Sequence, residues 1–156
     1  MKNQSEEDHG ATPRNTGTVA PGWEKNPNEV RDAVHSLLAI ENHTGGIGQQ
    51  VSVIAREFNN SANTSQQYKN QIKNRDTISR FFFGGDWQAA TELANLAAQN
   101  QGRINEIESL MNSTSIDAET RSMMEEQLDL LQKNVDLDQQ LSTLEKQDRG
   151  IFGWFR

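Results

Sequence analysis

The sequence predicts an all-α protein: an elongated antiparallel helical bundle or coiled coil of three main helices, up-down-up, behind a disordered N-terminal arm. Three observations carry this. Between Val30 and Ile72, ten of thirteen positions spaced alternately by three and four residues are apolar, the exceptions being Thr44, Ser61 and Ser65. Such sustained spacing is the pattern of helices packing along a seam. Hydrophobic content is only 33%, against about 45–50% for globular chains counted with glycine; a narrow core, with each helix showing one thin stripe inward, needs less apolar material than a sphere does. Finally, turn residues gather at Gly84-Gly85-Asp86 and Asn112-Ser113-Thr114-Ser115, and between those clusters the helical period is maintained.

Residues 1–26 are polar and carry Gly10, Pro13, Gly17, Pro21 and Gly22. They bury too little to offset the entropy of ordering, so this segment reads as an arm. Trp23 stands out in it, as a group that either docks back on the bundle or serves as a short recognition element.

The first helix should begin near Asn26-Pro27-Asn28, since asparagine is a good cap and proline suits the first turn. Glu29 and Asp32 lie where the helix dipole favours negative charge. The stripe then continues to Phe82; unbroken, residues 28–82 would span about 80 Å. Gly45, Gly46 and Gly48 interrupt it, each costing about 1 kcal/mol relative to alanine inside a helix. Because Leu37, Ile40, Thr44, Ile47, Val51 and Ile54 keep phase across them, the expectation is a continuous helix with a candidate hinge at Gly45, Gly46 and Gly48, and a true turn as the alternative.

Gly84-Gly85 supply a helix exit and Asp86 a cap for the second helix, about 87–111, with core positions Ala90, Leu93, Ala97, Asn100, Ile104, Ile107 and Met111. Ser115 or Asp117 caps the third, about 116–148. Its stripe is read as Met123, Leu130, Leu137, Leu141 and Leu144, widened by Met124, Leu128, Leu131 and Val135. The expected organisation is therefore an arm over 1–26, a helical bundle over 27–149 and an aromatic tail over 150–156.

Composition excludes several functions. A net charge of −7 repels phosphate backbones, so nucleic acid is not an expected partner. No cysteine is present, which removes disulfides, thiolate catalysis and cysteine metal sites. The opening residues lack the apolar core of a secretory signal, and no window approaches a spanning helix, so the expected location is cytoplasmic. His9, His35 and His43 are scattered, without a Glu-x-x-His or His-x-x-x-His pairing. Thr44-Gly45-Gly46-Ile47-Gly48 lacks the lysine and spacing of a phosphate loop, and there is no Gly-x-Ser-x-Gly elbow. Paired carboxylates such as Glu125-Glu126 sit on a solvated helix surface rather than in a pocket that would separate their pKa values. Neither a catalytic site nor a cofactor is expected.

One constellation remains. Phe81, Phe82, Phe83 and Trp87 cluster at the first turn, and Ile151, Phe152, Trp154 and Phe155 at the tail. An up-down-up bundle brings both to one pole, gathering seven of the ten aromatic residues there, ringed by Arg75, Arg80, Lys146, Arg149 and Arg156. Such a cluster seals a bundle end or forms an attachment point. The resulting expectation is a non-enzymatic assembly or adaptor protein that packs on itself or on partner helices and docks another component through an aromatic-basic pole. The alternative is a peripheral membrane-associated or receptor-associated signalling module, with the tail at a membrane surface.

Overall fold

A computed structural model describes residues 27–39 and 46–153, and among them the protein is all-α, with five helices and no strand. These are α1 (Pro27–Ala39), α2 (Gly48–Lys73), α3 (Thr77–Phe83), α4 (Trp87–Ser113) and α5 (Ala118–Gln147). The starts of α3, α4 and α5 follow one rule. Asp76, Asp86 and Asp117 each accept a hydrogen bond from the backbone N–H three residues on, at Ser79, Ala89 and Thr120 (2.8, 2.9 and 2.9 Å), meeting one of the donors a helix start leaves orphaned.

Helix α4 packs against both α2 and α5, and α1 against the same two. The stripe read from the sequence faces this core. Val30, Ala33, Leu37, Ile47, Val51, Ile54, Phe58, Ser61, Ser65 and Ile72 are buried and Tyr68 is half-buried, while Ile40 and Thr44 lie outside the described residues. All seven core positions named on α4 are buried as well. Burying a side chain the size of Phe58 contributes about 1.5–3 kcal/mol, so this shared seam is the main source of stability.

The core has two apolar compartments. The larger joins α1, the first part of α2, the second part of α4 and the first part of α5, around Leu37, Phe58, Ile107 and Leu131. The smaller holds Ile72, Ala89, Leu93 and Leu141, with Tyr68 packed on it. Between them lies a polar layer. Lys69 of α2 pairs with Asp138 of α5, and the Ser65 hydroxyl donates to the same carboxylate. Arg103 donates to Ser61 (2.8 Å), Asn100 (2.7 Å) and, nearer solvent, Glu57 (3.3 Å). Buried charges need such partners, because an unpaired one forfeits its hydration.

Three sequence expectations are corrected. Residues 28–82 do not form one continuous helix: α1 stops at Ala39, α2 starts at Gly48, and α1 packs on α2. A straight rod would hold Val30, Ala33, Val34 and Leu37 away from α2; folded back, all four are buried. Gly46 has φ +101°, which only glycine adopts without strain, so it belongs to a turn rather than to a helix interior. A second break separates α2 from α3 at residues 74–76, where Asp76 caps α3. On α5, Met124, Leu128, Leu131, Val135, Asp138, Leu141, Ser142 and Glu145 face inward, so the four widening residues and Leu141 lie as expected, while Leu130 and Leu137 are half-buried and Met123 and Leu144 face solvent. The stripe turns polar halfway along, and the apolar residues beside it misled the reading of phase. None of the described helices is long and apolar enough to cross a membrane.

Candidate functional site: the aromatic pole

Helix α3 buries none of its residues. A seven-residue helix that buries nothing has no stability of its own, so contacts with neighbouring segments hold it in place. The first is Arg80. Its guanidinium grips Glu145 through both nitrogens (3.0 and 3.1 Å), donates to Asp148 (2.7 Å) and reaches the Ile72 carbonyl (3.2 Å). Burial opposes the Arg80 charge, but the hydrogen bonds and negative charges of Glu145 and then Asp148 outweigh it and hold its pKa above the ordinary value. Buried Glu145 also accepts the Asp86 backbone N–H (2.6 Å), so one carboxylate ties α3, the start of α4 and the end of α5 together.

The second contact is a backbone stitch. The Ile151 N–H donates to the Phe81 carbonyl (3.0 Å) and the Phe152 N–H to that of Phe82 (2.9 Å), satisfying acceptors that the end of a helix leaves orphaned. The Gly85 N–H donates back to Asp148 (2.7 Å). This close approach requires glycine. A Cβ on Gly84 would meet the Asp148 carbonyl oxygen at 2.1 Å, and one on Gly150 would meet the Gly84 nitrogen at 2.4 Å; both residues also have positive φ, +76° and +58°.

The stitch sets the rings. Phe82 stacks on Phe152 with centroids 5.7 Å apart and meets Phe81 edge-on at 5.1 Å, while Phe83 leans on Phe152 at 6.4 Å. Trp87, at the start of α4, has the Lys146 ammonium 5.6 Å from its ring centre, a cation–π distance. The structure thus brings Phe81, Phe82, Phe83, Ile151 and Phe152 into contact, and ties Trp87 to the end of α5 through Lys146. Trp154 and Phe155 lie outside the described residues, as does Gly45 of the glycine cluster; Gly46 is in the turn and Gly48 opens α2.

The cluster is not sealed. Ile78 is 71% exposed, Phe83 62%, Phe81 57%, Trp87 53% and Phe152 50%. Eight of the ten large apolar side chains exposed among the described residues are at this end, the others being Val53 and Met123. Single exposed apolar groups are ordinary, whereas a cluster of them is the kind of surface that binding sites use.

The basic ring is corrected. Arg80 is spent on Glu145 and Asp148, and Arg75 donates to the Gly84 carbonyl (2.8 Å) and lies 3.7 Å from Asp86. Lys146 and Arg149 remain at the pole without a carboxylate partner among the described residues, and Arg156 lies outside them. Sequence reasoning missed Ile78 and Leu144 as exposed apolar groups at this end and Glu145 as the carboxylate that ties it together. The signal for Glu145 was its place seven residues after Asp138 on the stripe that begins with Leu128 and Leu131.

Elsewhere, a cleft of about 530 Å³ between α1 and α2 is lined by Arg31, His35, Arg56 and three asparagines over Val34 and Leu38. Another of about 370 Å³ between α4 and α5 is lined by exposed polar groups around Ile104, Met111 and Leu128. Neither brings a nucleophile against a base. Comparison of the chain with family models, with curated proteins and with solved structures gave no match.

Proposed function

We propose that this is a non-enzymatic helical assembly or adaptor protein of the cytoplasm. Its body is an elongated antiparallel bundle, with α2, α4 and α5 running up-down-up and α1 laid alongside, and its aromatic pole docks a second protein. The observation that carries this is a patch of exposed rings on a platform fixed by the Arg80–Glu145 clamp and by backbone hydrogen bonds from Ile151 and Phe152. Rings meant only to seal a bundle end would turn inward. Rings held rigidly outward lose little entropy when a partner covers them, which is how binding hot spots work.

The membrane reading draws on Trp87 beside Lys146, a pairing suited to headgroup depth. Against it stand Asp86, Glu145 and Asp148, which neutralise Arg75 and Arg80 and leave little net attraction for anionic lipid. A protein partner is therefore favoured.

A photo-crosslinking residue placed at Phe83, and separately at exposed Glu108 on the body, tests the proposal in cells that express the protein. Docking at the pole predicts discrete adducts from position 83 and none from 108. Equal labelling at both positions, or none at 83, would sink it.

A further inference from the structure

We propose that the occupant of the aromatic pole is a second copy of this chain, docked end to end as a weak two-fold dimer. This inference rests on the docking reading above and goes beyond it by naming the partner.

Charge is the first argument. Residues 73–87 and 144–153 carry five cations (Lys73, Arg75, Arg80, Lys146, Arg149) and four carboxylates (Asp76, Asp86, Glu145, Asp148), a net of +1. The whole chain is −7, which leaves −8 on the remainder. Two copies approaching side by side therefore bring strongly negative surfaces together. Two copies approaching by their poles keep those surfaces apart and meet where charge is nearly balanced.

Area is the second. Phe81, Phe82, Phe83, Trp87 and Phe152 are 57, 37, 62, 53 and 50% exposed. At about 200 Å² per ring, they offer on the order of 500 Å² per copy. Two such patches give roughly 1,000 Å², at the threshold of a specific interface and below the ~1,600 Å² of a standard one. That size fits a concentration-dependent dimer and falls short of a permanent one.

Shape is the third. A two-fold contact places the same patch on both sides, so the patch must complement itself. Phe81 and Phe82 already pack edge-on and Phe82 and Phe152 stacked, so the platform presents both the faces and the edges that rings from a second platform can meet.

Sedimentation equilibrium on the full chain, from micromolar to millimolar, tests the inference. The expected result is a monomer–dimer equilibrium that tightens several-fold as salt rises from about 0.05 to 0.5 M, because salt screens the acidic bodies and leaves ring contacts intact. Phe81→Ser/Phe83→Ser should weaken association at least tenfold with its circular dichroism unchanged, since α3 buries nothing. Val53→Ser/Met123→Ser, which removes the other two large apolar groups exposed among the described residues, should leave association as in the wild type. A strict monomer at millimolar concentration overturns the inference, as does a dimer abolished by the control pair or loosened by salt. A monomer whose position-83 probe still captures another component in cells would overturn self-docking alone and leave the docking pole standing. Binding of the monomer to vesicles of anionic phospholipid, lost in Phe81→Ser/Phe83→Ser, would assign the pole to membrane and overturn it too.

Discussion

Lys69 and Asp138 show what one buried residue demands of another. Both sit on inward stripes, and each charge is tolerable only because the other is there. Lys69→Met alone should cost about 3–5 kcal/mol, because it strands the Asp138 carboxylate. Lys69→Met combined with Asp138→Leu should recover most of that loss, and urea denaturation of the single and double variants measures the difference. Lys69 was not legible as a core residue: it is long, charged and followed by Asn70 and Gln71. Ser61 and Ser65 were legible, because they sit on a stripe that is apolar on either side. Gly84 was read as a helix exit and is one, but its closer constraint is the tail lying against it. Gly84→Ala should break the stitch, seen as faster hydrogen exchange at the Ile151 and Phe152 amides; unchanged protection would contradict the assigned contact.

At the scale of elements, phase decides which side chains matter. α5 offers a direct comparison, because Met123 and Met124 are neighbours in sequence on opposite sides of the inward boundary. Leu131→Ala should cost about 2–5 kcal/mol by opening a cavity in the larger compartment. Met123→Ala should stay within about 0.5 kcal/mol, as surface changes do. Thermal or urea unfolding of the two variants tests the stripe. The sequence misplaced it because heptad logic expects apolar groups, and after Val135 this helix buries Asp138, Ser142 and Glu145, with Leu141 the apolar residue retained there. The fold-back of α1 was hidden for a related reason. Two helices that share one core can keep a common phase across a turn, so phase alone does not establish continuity.

Helix caps add a pH dependence. Hydrogen bonds from the Ser79 side chain and backbone N–H lower the pKa of Asp76, and those from the Thr120 backbone and hydroxyl lower that of Asp117, both from an ordinary 3.8. A carboxylate with a depressed folded pKa stabilises fully above its unfolded value and loses that contribution as pH falls through the folded one. Stability should therefore fall with acid below about pH 4, and Asp117→Asn should fall less steeply over the same range. Denaturant titrations at a series of acidic pH values provide the check.

Across the whole molecule, the sequence revealed more than its parts suggested. The helical class, the capped starts of α4 and α5, and the meeting of Phe81, Phe82 and Phe83 with Phe152 were all readable, because periodicity and turn chemistry are local signals. The charge state of the pole was not, because it depends on which carboxylates reach Arg75 and Arg80 across 11 to 68 residues of chain. If the pole is a platform and not a keystone, Phe81→Ser/Phe83→Ser should leave the melting temperature within a degree or two, whereas Arg80→Leu, which deserts Glu145, should lower it clearly. Differential scanning calorimetry separates the two.

The stitch between α3 and the tail also has a consequence for biosynthesis. The carbonyls of Phe81 and Phe82 wait for amides made 70 residues later. At about 5–20 residues per second, three adjacent phenylalanines leave the ribosome several seconds before anything can fasten them. A translation product interrupted ahead of Ile151 would carry them loose, as a greasy flag for chaperones and proteases.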